Sequence, residues 1–170
     1  MQDEDLARLA AAGDAAAFAV LVRRHQSWLR GFLRRLARGD RALADDLAQE
    51  TFLEAWRKAA QFEARGSFAG WLTRIAFSRY LMEARRRRLE PLDAPEESEA
   101  PQPADPDLRL DLERAMARLS LAERAALTVC AALGHSHEEG AEILGMKLGT
   151  LKSHILRGRD KLKRMLETGS

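Results

Sequence analysis

Apolar positions in the first half of the chain recur every three to four residues, a spacing that predicts amphipathic helices. The clearest stripe lies between Gly13-Asp14 and Gly39-Asp40, which predict the limits of one long helix. Its apolar members are Phe18, Leu21, Val22, Leu29, Phe32, Leu33 and Leu36. A second helix is predicted over about 42–60, and a third from Phe68 past Met82 into the Arg85–Arg88 run, with a loop at 65–67 between them.

The second half of the chain carries two capping-box patterns. Ser120 with Glu123 predicts the start of an apolar helix that continues to about Leu133. Ser136 with Glu139 predicts a short helix to about Leu144, closed by Gly145, and a longer helix follows from Leu148 to about Leu166. No segment alternates with a period of two, so the prediction is an all-α fold of two small helical domains.

A proline-rich acidic stretch separates the two halves. All five prolines fall between Pro91 and Pro106, and residues 91–108 carry six acidic and no basic side chains. Such a segment has little apolar surface to bury and its prolines oppose helix formation. The predicted organisation is therefore a domain over 1–89, a flexible linker over 90–108 and a second domain over 109–170.

Composition narrows the classes of function. The one cysteine, Cys130, excludes an internal disulfide framework, and no apolar run reaches the roughly 20 residues of a membrane span. We expect a cytoplasmic protein with no membrane insertion of its own. Cys130, His135 and His137 lack the paired spacing of zinc ligands, and no catalytic constellation or phosphate loop is present. No metal, cofactor or enzymatic activity is predicted.

The last two helices form a helix-turn-helix pattern. Apolar residues have the spacing to pack the pair together: Ile143, Leu144, Met146, Leu148, Leu151, Ile155 and Leu162. Residues 147–164 hold seven basic side chains and one acidic one, a bias that favours binding to DNA phosphates. The predicted DNA-binding side chains are Lys147, Thr150, Lys152, Ser153, His154 and Arg157. A solvated charged helix is the alternative.

The helix over about 42–60 turns Ala44, Leu47, Ala48, Thr51, Ala55 and Trp56 inward. Its opposite face is predicted to expose Asp46, Gln49, Glu50, Leu53, Glu54 and Arg57. Leu53 among acidic and amide side chains is a small apolar centre with a polar rim, which suits a protein contact. Without other information, a merely solvated helix face is the favoured explanation of this pattern.

Two stretches together resemble the extracytoplasmic-function (ECF) sigma factors, the small promoter-specificity subunits of bacterial RNA polymerase. The first is Asp45-Asp46-Leu-Ala-Gln-Glu-Thr-Phe-Leu-Glu-Ala-Trp-Arg57 with Arg65-Gly-Ser-Phe-Ala-Gly-Trp-Leu-Thr-Arg-Ile-Ala76. The second comprises Glu138–Gly145 and Leu148-Gly-Thr-Leu-Lys-Ser153. The match covers nearly all of the chain outside the linker, in the family's order.

The resemblance implies a role for each surface. It assigns core-polymerase binding to Asp46, Gln49, Glu50 and Leu53, and −35 promoter binding to the helix-turn-helix. It implies that the 63–67 loop and the next helix open and recognise the −10 element, with the candidates Arg65, Gly66, Ser67, Arg74, Ser78, Arg85 and Arg86. Arg85 and Arg86 belong to a cationic block that suits duplex phosphates or, alternatively, a solvated helix end.

The sequence departs from the family's usual pattern at Phe77-Ser78, where Arg-Asn is common, and at Met82, where Asp is common. These changes suggest an altered −10 preference or weaker melting. The family also implies core RNA polymerase and promoter DNA as partners, with an anti-sigma factor as antagonist. Two alternatives are a sigma-like decoy that binds an anti-sigma factor without binding promoters and, less favoured, a stand-alone helix-turn-helix repressor.

Overall fold

The computed structural model describes residues 1–63, 65–89, 91–92 and 108–168. These residues form helices and turns without a strand, which confirms the all-α prediction. The chain divides into two compact units. The first unit comprises Met1–Arg34 and Asp40–Glu83, and the second comprises Arg35–Gly39 and the chain from Ala84 onward. Most of the predicted 90–108 linker lies outside the described residues.

The first unit is built on four helices and a short turn. In chain order these are α1 (Asp3–Ala11), α2 (Ala15–Leu36), α3 (Arg41–Arg57), a 3₁₀ turn (Ala59–Gln61) and α4 (Phe68–Arg86). Residues 35–36 of α2 and 84–86 of α4 belong to the second unit. Helix α1 was not among the sequence predictions, although its buried Leu6, Ala7 and Ala10 follow helical spacing.

Both predicted Gly-Asp boundaries are confirmed. Asp14 accepts a hydrogen bond from the Ala17 amide at 3.1 Å, and Asp40 accepts one from the Leu43 amide at 3.0 Å, so each aspartate caps a helix. The preceding Gly13 and Gly39 have φ of +97° and +91°, which a residue with a Cβ rarely adopts. Most of the predicted apolar stripe is also buried, with Leu21, Leu29 and Leu33 each 0% exposed, whereas Phe18 and Val22 are half-buried.

The second unit contains the described helices α5 (Leu108–Ala117), α6 (Leu121–Leu127), α7 (His137–Leu144) and α8 (Leu148–Thr168). Both capping boxes form, and Gly145 ends α7 with a left-handed backbone at φ +65°. The continuous helix predicted to about Leu133 is wrong in part. Helix α6 stops at Leu127 and one turn of π-helix over Thr128–Ala132 follows. Helix α5 was not predicted.

Close packing of α6 against α8 forms the core of the second unit. Leu151 and Ile155 of α8 are buried with Leu119 and Ala125. Gly158 permits this approach, since a Cβ at that position would lie 2.8 Å from Leu127 Cδ1. The helix-turn-helix is thus held by the face of α8 that carries Leu151, Ile155 and Gly158, and its opposite face is left exposed.

Candidate functional surfaces

The outer face of α3 is the first candidate surface. Asp46, Gln49 and Glu50 are exposed, and Leu53 is exposed over 54% of its surface. On the opposite side Leu47, Ala48, Thr51 and Ala55 are buried, and the Thr51 hydroxyl donates to the Leu47 carbonyl at 2.7 Å. Because the inward side is packed, an exposed leucine rimmed by Asp46, Gln49 and Glu50 is available for a protein contact. We call these four residues the α3 patch.

Glu54 was expected on this exposed face, and that placement is wrong. Its carboxylate is largely buried, accepts a hydrogen bond from Lys58 at 2.6 Å and pairs with Arg79 of α4. Burial raises the pKa of Glu54, but the bonds from Lys58 and Arg79 outweigh it and leave the pKa below its ordinary value. Glu54 therefore ties α3 to α4 and does not belong to the α3 patch.

The second candidate surface is the loop between the 3₁₀ turn and α4. Arg65 extends into solvent with 89% of its side chain exposed, and its Nε lies 3.4 Å from Glu63. Ser67 caps α4, since its hydroxyl accepts from the Gly70 amide at 2.9 Å. Gly66 is exposed with open space around its Cα. An exposed cation beside an open backbone gives a nucleic-acid strand both a charge partner and access.

Helix α4 extends this surface. Arg74, Ser78 and Met82 are exposed and four residues apart, so they share one face of the helix, and Arg85 and Arg86 are exposed at its end. Met82, where the family commonly carries Asp, is exposed over 58% of its surface. Phe77 is only 3% exposed, so this departure from the family pattern changes the interior of the unit and not the exposed face of α4.

The third candidate surface lies on the helix-turn-helix. Lys147, Thr150, Lys152, Ser153 and Arg157 are all exposed, as DNA contact requires. The exposed placement of His154 is wrong. The ring is 7% exposed, on the packed face of α8, and its Nδ1 lies 2.9 Å from Arg157 Nη2. Leu148, expected to pack, is 36% exposed.

Sequence reasoning missed Leu156, which is 68% exposed on α8. It stands three and four residues after Ser153 and Lys152, on the same exposed face. Leu156 follows the buried Ile155 and does not belong to the apolar stripe that packs α8. A helical projection of α8 would have shown it as an exposed apolar residue. Fewer than seven of the basic side chains of residues 147–164 are available to DNA phosphates, because Lys161 donates at 2.8 Å to the buried Glu123.

Cys130 is half-buried, and its Sγ lies 3.9 Å from the Ser136 carbonyl. Burial raises the pKa of the Cys130 thiol. Within the described ranges, no three His, Cys, Asp or Glu side chains are grouped as metal ligands. In the same residues, no helix is both long and apolar enough to cross a membrane.

Two family models match the chain, Sigma-70 region 2 over residues 21–90 and Sigma-70 region 4 over 109–162. The chain is 33% identical to the RNA polymerase sigma factor NccH of Alcaligenes xylosoxydans xylosoxydans, covering 98% of this chain and 95% of NccH. It is 34% identical to the ECF RNA polymerase sigma factor SigM of Mycobacterium tuberculosis H37Rv, covering 96% of this chain and 84% of SigM. A third relative is the ECF sigma factor SigE of Mycolicibacterium smegmatis, at 39% identity. That match covers 90% of this chain but 64% of SigE.

Two solved structures that resemble this chain are those of the following proteins, each in complex with a partner. CnrH in complex with the cytosolic domain of CnrY matches with a TM-score of 0.72 and 27% identity, covering 99% of both chains. The sigma factor RpoE in complex with the anti-sigma factor NepR from Bartonella quintana also has a TM-score of 0.72, with 28% identity over 88% of this chain and 96% of RpoE. The chain belongs to the sigma-70 family, as an ECF RNA polymerase sigma factor.

Proposed function

We propose that the protein binds core RNA polymerase through the α3 patch and directs it to promoters, with the helix-turn-helix on the −35 element and the 63–67 loop and α4 on the −10 element. The observation that carries this proposal is Leu53, an apolar side chain held in solvent and rimmed by Asp46, Gln49 and Glu50. Sigma factors of this family are non-enzymatic initiation factors. Since its polymerase partner works in the cytoplasm, we place the protein there.

The proposed −10 contact uses Arg65, Gly66 and Ser67 of the loop, followed by Arg74 and Ser78 on α4. Extrusion of a base from the duplex costs a few kcal/mol, so a pocket that holds one base can both melt and read the element. Arg85 and Arg86, exposed at the end of α4, would contact phosphates of the adjoining duplex.

The proposed −35 contact uses Lys147, Thr150, Lys152, Ser153 and Arg157. We add Leu156 to it, because this side chain is exposed on the same face. Cationic side chains on this face supply phosphate contacts and hydrogen bonds to base edges, and an apolar side chain suits a thymine methyl group. His154, being buried, acts on this surface through Arg157 and not by contact with a base.

We also propose an anti-sigma factor as antagonist. CnrH and RpoE, both similar to this chain, were solved with CnrY and NepR bound, and NepR is described as an anti-sigma factor. A protein that covers the α3 patch would prevent polymerase binding. The alternative, a decoy that binds an antagonist and no promoter, predicts no affinity for core polymerase.

The test is transcription in vitro with core polymerase, the full chain and a pool of genomic promoter fragments. We expect specific transcripts that require the protein and are lost with Leu53→Asp. The matched control is Leu9→Asp, which places the same charge at a leucine of α1 that is 40% exposed. Absence of transcripts together with absence of core binding would overturn the proposal and favour the decoy or the stand-alone repressor.

A further inference from the structure

A buried histidine in the first unit has no role in the surfaces described above. His25 of α2 is 7% exposed, and both of its ring nitrogens are engaged. Nε2 lies 2.8 Å from Asp3 Oδ2, and Nδ1 lies 2.9 Å from Trp28 Nε1. An indole nitrogen only donates, so Nδ1 must accept, and the ring proton of the neutral form is on Nε2 and is donated to Asp3. The two partners thus fix one tautomer and one orientation of the ring.

The oriented ring contacts the start of α4. The His25 ring centroid lies 5.2 Å from that of Phe68, which is 2% exposed and directly follows Ser67. Phe68 in turn lies 5.7 Å from Phe62 in an edge-to-face arrangement, and both rings contact Trp71. Phe62 and Phe68 flank the 63–67 loop on its two sides. The residues on both sides of the loop therefore pack in one aromatic cluster of Phe62, Phe68 and Trp71, and the His25 ring packs against Phe68 in that cluster.

On its other side, the His25 ring is held by the N-terminal segment through Asp3. Asp3 is the first residue of α1, and besides His25 it accepts from Arg24 Nη1 at 3.0 Å. Arg24 also donates to the Met1 carbonyl at 2.9 Å, so the start of α1 is fastened to α2 by two side chains. Met1 and Asp3 precede the segment that matches Sigma-70 region 2, which begins at residue 21.

We propose that Asp3 is a positioning residue for −10 recognition, which acts through His25 and Phe68 to hold the loop residues Arg65, Gly66 and Ser67 in their binding geometry. This inference rests on the proposed role of that loop. If the acceptor on Asp3 is lost, the Nε2 proton is buried without a partner, and the ring is free to turn away from Phe68. The loop then samples more conformations and loses discrimination between bases, while the α3 patch and the helix-turn-helix keep their own contacts.

The experiment compares Asp3→Asn with Asp3→Leu in the full chain bound to core polymerase. Both changes remove the same charge and the ion pair with Arg24, but only asparagine retains an oxygen acceptor for Nε2. The measured quantity is the ratio of affinities for a single-stranded oligonucleotide with the −10 sequence of a responsive promoter and one with that sequence scrambled. We expect Asp3→Leu to lower this ratio roughly fivefold or more, as an unsatisfied buried donor allows, and Asp3→Asn to keep it.

Three controls separate the possible outcomes. Asp5→Leu removes the same charge two residues further along α1, where Asp5 pairs only with exposed Arg8 in the described contacts, and should keep the ratio. Affinity for core polymerase and for −35 duplex should be unchanged in every variant. If Asp3→Leu fails to fold by circular dichroism, Trp28→Phe, which removes the indole donor and keeps an aromatic ring, should lower the ratio instead.

Equal ratios for Asp3→Leu and Asp3→Asn would overturn the inference. The variant Arg65→Ala tests separately whether the loop recognises the −10 sequence. If Arg65→Ala leaves the ratio intact, the proposed role of the loop fails. If Arg65→Ala lowers it and Asp3→Leu does not, only the positioning role of Asp3 fails.

Discussion

The guanidinium of Arg157, on the exposed face of α8, is bonded through Nη2 to Nδ1 of the buried His154 at 2.9 Å. The histidine therefore supports a proposed −35 contact from beneath, since a ring nitrogen on a packed side chain restricts the rotamers of a long flexible one.

His154→Leu should weaken binding to −35 duplex by roughly tenfold, because leucine maintains the packing but removes the acceptor that orients Arg157. Arg157→Ala should have a similar effect, and the double variant should lose little more, since the two residues act as one unit. Fluorescence anisotropy with a −35 duplex measures all three. Fully additive losses would show that His154 acts independently of Arg157.

Leu156 should contact a thymine methyl group in the −35 element. We expect replacement of thymine by deoxyuridine at one position of the duplex to weaken binding by about threefold to tenfold, the scale of one buried apolar contact. In Leu156→Ala the same replacement should have no effect. If the penalty for deoxyuridine is the same in both proteins, Leu156 does not read that methyl group.

Glu50→Gln and Glu54→Gln should separate binding from stability on α3. Glu50 is exposed on the α3 patch, so its change should weaken core-polymerase binding and leave the thermal midpoint unaltered. Glu54 is bonded to Lys58 and Arg79, so its change should cost about 1 kcal/mol of stability and leave core affinity intact. Equilibrium binding to core polymerase and thermal denaturation give the two readouts. If Glu54→Gln weakens core binding and leaves the thermal midpoint unaltered, Glu54 belongs to the polymerase-binding surface.

Gly158→Ala should destabilise the second unit by about 1–3 kcal/mol, because the added methyl group would meet Leu127 Cδ1 at 2.8 Å. Gly149→Ala is the matched control. It lies on the same helix with open space around its Cα, and it should be neutral or stabilising by up to about 1 kcal/mol. Amide hydrogen exchange of α6 and α8 in the full chain measures the difference, and equal protection in the two variants would contradict the packing argument.

Glu123 should make the second unit sensitive to acid. Burial raises its pKa, but bonds from Lys161 and from the Ser120 amide and hydroxyl leave the pKa below the ordinary value of 4.5. A lowered folded-state pKa stabilises the fold fully above 4.5, and this contribution is lost as the pH falls through the folded-state value.

Glu123→Gln should therefore be about 1 kcal/mol less stable at neutral pH, and the difference should shrink below pH 4.5. Hydrogen exchange of α6 across this range tests it, with exposed Glu142→Gln as the control. A difference that stays constant with pH would show that Glu123 contributes through packing and not through its charge.

Local signals were sufficient for much of the fold. Capping side chains, Gly-Asp boundaries and helical periodicity depend on residues three or four positions apart, so α2, α3, α4, α7 and α8 could be predicted from the sequence. Leu53 could be placed on the exposed face of α3, because its inward neighbours are strongly apolar, but its role in binding came from the family resemblance. The family could also be predicted from the sequence, because both sets of family motifs occur in one chain and in the family's order.

Tertiary structure decided the placements that depend on distant partners. His154 and Glu54 look exposed in projection, yet one is packed on the inner face of α8 and the other is held by Arg79, 25 residues away. The π turn after Leu127 and the contact of Asp3 with His25 also have no local signature. Periodicity shows which face of a helix is apolar, but only the packed neighbours determine which polar side chains are buried with it.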